Sequence, residues 1–186
     1  FIMNYKKMII FSSGRADYFS LNELVKFLKK KKYKIFFILY AYEDYSITKV
    51  PNINYFKIKK KVSDTLIFNS IHLNISKIIK IDNDIKNAIC FGDRKEALFF
   101  SHIIKNYEFT LHHYNGGEIT KGSRDNVFRY QISLNADYHY VTNSIYKKNL
   151  LEFGIKNKNI FIVGNLAIDF IKNSNLYTKK ELQYLK

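Results

Sequence analysis

The first recognisable pattern is Lys7-Met8-Ile9-Ile10-Phe11, a short continuous apolar run ending in Ser12-Ser13-Gly14, as in a strand buried on both faces. After a loop, Leu21, Leu24, Val25 and Leu28 recur at helical spacing, and Lys29 to Lys32 close that helix at its negative dipole end. Lys34 to Leu39 is a second buried strand, and Ile53 to Ile58, set off by Pro51, a third. Leu66, Ile67, Ile71, Ile75, Ile78 and Ile79 mark a helix between Asp64 and Ile81. Ala88 to Phe91 is then a strand ending at Gly92.

The rhythm continues with a helix over Lys95 to Lys105, a strand over Phe109 to Tyr114, a loop at Gly116-Gly117 and a helix from Asp125 to Leu134. Tyr138 to Val141 and Ile160 to Val163 are further strands, separated by a helix from Ser144 to Phe153 that Gly154 caps. Such alternation predicts an α/β fold, a doubly wound parallel sheet of Rossmann-like form. Ligands of these sheets bind beyond the carboxyl ends of the strands, where the strand order reverses. Gly14-Arg15, Gly92-Asp93-Arg94, Gly116-Gly117-Glu118 and Gly164-Asn165 all follow strands. Near Lys172 the pattern weakens, so residues 1–172 are expected to form one domain and 173–186 the start of a linker to a second domain absent from this chain.

Composition narrows the class. A chain of 186 residues with 47% hydrophobic positions suits one globular domain. No apolar run approaches the roughly 18 to 20 residues that cross a bilayer, and no signal-peptide layout opens the chain, so a cytoplasmic location is expected. The single cysteine, Cys90, lies in an apolar run and is expected to be a buried, inert thiol. A net charge of +15 invites polyanions, yet the excess is nearly all lysine, scattered and without a binding motif. Neither nucleic acid nor a membrane is therefore expected as a partner. The four arginines, Arg15, Arg94, Arg124 and Arg129, stand near glycines in loops or helix starts, where bidentate recognition of phosphate or carboxylate matters.

No Gly-x-Gly-x-x-Gly follows the first strand and no P-loop occurs, which argues against nicotinamide or P-loop chemistry. His112 and His113 sit at a strand end without companions for a zinc set, so no metal or other cofactor is expected. One of the pair is expected to pack and the other to face a ligand cleft. Asp93 and Arg94 either orient an anionic ligand at a helix start or, for Asp93, merely cap the next helix. In His113 to Asn126 the paired glycines let the backbone approach a ligand, and Glu118 and Asp125 supply carboxylates; the plainer reading is a Gly-rich turn with Asp125 or Ser123 as cap.

These segments resemble, in order, the signatures of the UDP-N-acetylglucosamine 2-epimerase family of the hydrolysing, sialic-acid-pathway type. Ser12 to Tyr18 is similar to its Gly-Thr-Arg-Ala-acidic-Tyr opening, and Gly92-Asp93-Arg94 with Glu96-Ala97-Leu98 to its Gly-Asp-Arg-x-Glu-Ala-Leu. His113 to Glu118 resembles its His-x-x-Gly-Gly-Glu, Gly122 to Arg129 its Gly-x-x-Asp-acidic-x-x-Arg, and Val163-Gly164-Asn165 with Asp169 the close of its N-terminal domain. The resemblance implies the N-terminal half of a glycosyltransferase-B type two-domain fold. It further implies an enzyme that turns UDP-N-acetylglucosamine and water into N-acetylmannosamine and UDP.

By motif match Asp93 and Asp125, with Glu118 third, are the expected acid/base and orienting carboxylates. Arg15, Arg94, Asn115, Gly116 and Gly117 are expected to bind substrate, with His113 and Arg129 supporting them. The family also implies a homo-oligomer. Asn115 and Asn126 depart from it, standing where members often carry Glu or His, and an acid. They favour the alternative of a non-catalytic sugar-nucleotide-binding domain; a basic module for nucleic acid or membrane is the reading from another class.

Overall fold

A computed structural model describes residues 6–44, 47 and 49–173. The strands β1 (Lys7–Ser12), β2 (Lys34–Tyr40), β3 (Asn54–Ile58), β4 (Asn87–Phe91), β5 (Thr110–Tyr114), β6 (Tyr138–Val141) and β7 (Ile160–Ile162) form one seven-stranded sheet. All neighbours are parallel, in the order β3-β2-β1-β4-β5-β6-β7. The helices are α1 (Arg15–Lys30), α2 (Asp64–Ile81), α3 (Lys95–Asn106), α4 (Asp125–Asn135), α5 (Ser144–Glu152) and α6 (Leu166–Asn173). The chain runs outward from β1 to β3, returns through α2, and runs the other way from β4, so the order reverses between β1 and β4. The expected doubly wound, Rossmann-like architecture is the one observed.

Side chains alternate across each strand, and the two sets feed two cores. Ile9, Phe11, Phe36, Ile38, Ala88, Cys90 and Leu111 meet Ile71, Ile75 and Ile78 of α2 and Ala97, Phe100 and Ile104 of α3. Phe11 and Phe100 stack with ring centroids 4.7 Å apart. Met8, Ile10, Ile35, Phe37, Ile89 and Phe91 instead meet Tyr18, Leu21, Val25 and Leu28 of α1, with Leu166 of α6. Burying each such large apolar side chain contributes about 1.5–3 kcal/mol, which explains why β1 and β2 are built on continuous apolar runs. A smaller cluster of Val141, Leu150 and Ile160 seats α5. Cys90 is fully buried, and burial pushes its thiol pKa well up, as an inert thiol requires. Among the described residues no helix is long and apolar enough to cross a membrane.

Two boundaries differ from expectation. Helix α1 starts at Arg15 with no intervening loop, because Tyr18 already belongs to the stripe continued by Leu21, Val25 and Leu28. Helix α6 occupies a stretch in which no element was expected. Asn165 Oδ1 caps it by accepting from Ala167 N at 2.9 Å, and its Phe170 ring lies 5.6 Å from Phe19 of α1. Residues 174–186 lie outside the described residues.

Candidate functional site

The glycine-marked loops converge beyond the carboxyl ends of β1, β4 and β5, beside the switch point. Asp93, in the β4–α3 loop, accepts a charged hydrogen bond from Arg129 Nη2 of α4. The Arg129 side chain is 5% exposed and that of Asp93 26%. Arg129 Nη1 donates to the main-chain oxygen of Glu118 at 2.7 Å and to Asn126 Oδ1 at 3.2 Å. One buried guanidinium therefore ties the β4–α3 loop to the β5–α4 loop and to the first turn of α4. Asp93 does not cap α3: Arg94 occupies the cap position, with no side-chain cap bond, because the Asp93 carboxylate is turned to Arg129.

His113 is fully buried with both ring nitrogens engaged. Nε2 lies 2.8 Å from the Gly92 carbonyl oxygen, which can only accept, so Nε2 carries the proton. The Ser133 hydroxyl then donates to Nδ1 at 3.0 Å. Burial drives the ring's pKa down to about 3, which keeps it neutral. His113 thus holds the turn at Gly92 (φ 80°) from behind. His112, on the opposite face of β5, stacks on Tyr138 at 5.3 Å and lines a cavity of about 220 Å³ with Met8, Leu24 and Tyr140. The two rings part in this way because successive residues of a strand point to opposite faces, so His113 packs inside while half-buried His112 lines the cavity.

Gly116 and Gly117 leave no room for a side chain. A Cβ on Gly116 would stand 2.9 Å from Ser133 Oγ, and one on Gly117 (φ 76°) would overlap the Tyr146 carbonyl and reach 2.9 Å from Leu150 Cγ. Asn149 of α5 donates to the Gly117 carbonyl at 2.8 Å. Asn115 is also left-handed (φ 63°), and its Oδ1 is buried without a hydrogen-bond partner. Glu118 is half-buried, and burial raises its carboxyl pKa; Arg129 opposes that shift and Asp93 adds to it. Asn126 closes the loop by accepting from Thr120 N at 3.0 Å and donating to Thr120 O at 2.7 Å. Asp125 stands in the first turn of α4 with its amide bonded to Ser123 Oγ at 3.2 Å. Neither is the cap residue of α4, a position that Arg124 holds without a side-chain cap bond.

Arg15, at the first position of α1, and Arg94 are both exposed at the same end of the sheet. The Arg94 guanidinium packs on Gly14, where a Cβ would lie 3.4 Å from Nη1. Of the residues singled out in the sequence, Asp93, Arg129, Glu118, Gly116, Gly117 and His113 are thus brought together, with Arg15 and Arg94 in the neighbouring loops. Sequence reasoning passed over Asp17, whose buried carboxylate binds Ser13, and Ser133 and Asn149, which brace the glycines. Asp17 lay inside a quoted motif; Ser133 and Asn149 carry no sequence signal.

The family model for UDP-N-acetylglucosamine 2-epimerase matches residues 43–186. The chain belongs to the UDP-N-acetylglucosamine 2-epimerase family. A Campylobacter jejuni relative named GDP/UDP-N,N'-diacetylbacillosamine 2-epimerase (hydrolyzing) is 30% identical over 97% of this chain and 50% of its own length. The UDP-GlcNAc 2-epimerase of Methanocaldococcus jannaschii, solved with UDP-GlcNAc and UDP, matches at a TM-score of 0.76 and 17% identity over 90% of this chain and 49% of that one. The Neisseria meningitidis UDP-GlcNAc 2-epimerase bound to UDP-GlcNAc matches at 0.74 and 14% over 89% and 48%. The chain therefore spans about half the length of these epimerases and shares the fold of one half of them.

Proposed function

We propose that this chain forms the N-terminal half of the UDP-sugar site of a hydrolysing 2-epimerase, which converts UDP-N-acetylglucosamine and water into N-acetylmannosamine and UDP for sialic-acid-like amino-sugar synthesis. The observation that carries this reading is the Asp93–Arg129 pair, with Glu118 and Asn126 held on the same guanidinium beyond the ends of β4 and β5. It fixes the Asp93 carboxylate on a buried cation at the switch point of a doubly wound sheet, where ligands of such folds bind, with the Glu118 carboxyl near enough to feel both charges.

The reaction needs a base that takes the C2 proton. The C2–H electron pair then forms the C1=C2 bond as the C1–oxygen bond to UDP breaks. Water adds at C1 while a proton returns to C2 on the other face. Asp93 and Asp125 are assigned the acid/base and orienting roles, with Glu118, whose pKa is raised, as the third carboxylate. Exposed Arg15 and Arg94 face the diphosphate, and Asn115 meets the sugar on a turn that Gly116 and Gly117 allow to pack closely on α4 and α5. The matched epimerases are about twice as long, so residues 1–172 are taken as one domain and the remaining nucleotide contacts as belonging to a second. Cytoplasmic location, suggested by the lone buried cysteine, and homo-oligomeric assembly complete the reading.

The test is release of UDP from UDP-N-acetylglucosamine by this chain joined to whatever coding sequence follows Lys186, with Asp93→Asn and Glu118→Gln controls and the N,N'-diacetylbacillosamine nucleotide as second substrate. UDP and the 2-epimeric free sugar appearing together, and lost in the controls, support the reading. Bound but unturned UDP-sugar supports instead a non-catalytic binder, which Asn126 favours because its amide is committed to Thr120.

A further inference from the structure

Asp17 is the most deeply buried carboxylate near the site. Its residue is 8% exposed, it lies in the first turn of α1, and one carboxylate oxygen accepts from both donors of Ser13: the backbone N–H at 3.0 Å and the hydroxyl. The other oxygen faces the β4–α3 loop, 3.6 Å from where a Cβ on Gly92 would stand. That loop reaches back, since Arg94 lays its guanidinium on Gly14. Arg94 and Asp93 both act electrostatically on Asp17 from that loop, and Asp17 in turn acts on Cys90 beneath it. The start of α1 with the turn before it thus meets the β4–α3 loop twice, once through the Asp17 carboxylate at Gly92 and once through the Arg94 guanidinium at Gly14.

We infer that Asp17 is the positioning residue of the site, the buried charge that holds the Ser13–Arg15 loop and the Gly92–Arg94 loop in one arrangement so that Arg15 and Arg94 face the same anion. This rests on the reading of the site as one for a sugar nucleotide. The carboxylate neither touches substrate nor moves a proton of the reaction; it acts through Arg94 and through the Ser13 turn that precedes Arg15. Burial raises its pKa to about 6, opposed by the Ser13 bonds and by Arg94, so its charge is fully present only above that value. Below it Arg94 loses its buried counter-charge.

Asp17→Asn separates charge from shape, because an amide oxygen can accept both Ser13 donors while the negative charge is gone. NMR titration of this chain is the first readout. The Ser13 amide and the Arg94 side-chain N–H are expected to titrate with the Asp17 carboxyl carbon at one midpoint. Ser13→Ala should move that midpoint upward by about one pH unit, since the hydroxyl bond favours the ionised form. In the protein extended beyond Lys186, Asp17→Asn should lower kcat/KM for UDP-N-acetylglucosamine about tenfold to a hundredfold and abolish its acid limb, with folding checked by an unchanged or raised Tm. An Arg94 signal indifferent to Asp17, or an acid limb that survives Asp17→Asn, overturns the inference. A wild-type protein that turns over no UDP-sugar overturns the functional reading instead, and the titration still decides the role of Asp17.

Discussion

Asn126 and Thr120 form a closed pair, the Asn126 amide accepting from the Thr120 N–H at 3.0 Å and donating to the Thr120 carbonyl at 2.7 Å. The side chain does for this loop what a strand neighbour does in a sheet. An acid at this position has no N–H to give and would set a negative charge against the Thr120 oxygen. Asn126→Asp is therefore expected to destabilise by about 0.5–1.5 kcal/mol, the net worth of a hydrogen bond between solvent-exposed groups, and to give no gain in turnover. Urea unfolding with a parallel UDP-release assay checks both halves.

The Asp93–Arg129 pair predicts strong coupling. Because the Arg129 side chain is almost wholly buried, removing its counter-charge leaves an uncompensated cation in the interior. Asp93→Asn and Arg129→Met should each cost on the order of 3–5 kcal/mol alone, and the double variant less than their sum. A thermodynamic cycle from chemical denaturation checks this; additive losses would mean that the pair is not coupled. It also follows that loss of activity in Asp93→Asn needs a fold control before it is assigned to chemistry.

Gly117→Ala is expected to be among the most damaging small substitutions. A methyl there meets the backbone oxygen of Tyr146, which cannot swing aside as a side chain can, and the left-handed backbone (φ 76°) adds strain. Gly122→Ala is the matched comparison, since it shares the left-handed backbone (φ 77°) but has nothing within 4 Å. The Tm of Gly117→Ala should fall well below that of Gly122→Ala.

Buried histidines set the acid limit of the fold. Burial pushes His113 down to about 3 and His139 down to about 4, from 6.5 in the unfolded chain. Their contribution is complete above pH 6.5 and is lost as pH falls toward those values, by about 1.4 kcal/mol for each histidine over every pH unit crossed. His139→Phe should flatten the decline of the urea midpoint between pH 6.5 and 4.

Asp17 works in the opposite sense. Its folded pKa of about 6 lies above the ordinary 3.8, so the stability it contributes is full below 3.8 and is lost as pH rises through 6. Asp17→Asn should consequently be more stable than the parent at pH 8, by about 3 kcal/mol, with the difference vanishing near pH 4. Parallel unfolding curves at the two pH values check it. A buried charge that lowers stability at neutral pH is what a positioning role would require.

The strands were legible because a doubly wound parallel sheet buries both faces of every central strand, so Ile9 to Phe11 and Ile35 to Leu39 are unbroken apolar runs. The turn glycines were legible because the left-handed backbone at Gly92 and Gly117 favours glycine. Pairings were not. Nothing in the residue order says that Asp93 turns to Arg129 rather than to the helix it precedes, since both choices satisfy a carboxylate and only the packing of α4 decides. Nor does the order say which of His112 and His113 packs inside: adjacency places the two side chains on opposite faces of a strand, and the covering helices settle what each face meets. Helix α6 escaped notice because eight residues give too few turns for periodicity to register, and its seat on α1 supplies what the pattern lacks.

The sequence separations of these bonds order the assembly of the site. Ser13 and Asp17 are 4 residues apart, whereas His113 reaches back 21 to Gly92 and Arg129 reaches back 36 to Asp93. The turn before Arg15 can form with the first helical turn of α1, at little loop-closure cost, but the β4 loop has no shape until β5 is docked and no counter-charge until α4 is. Within the site, then, the part nearest Arg15 is local to one helix start, while the part that holds the charge pair exists only once a distant strand and a distant helix are in place.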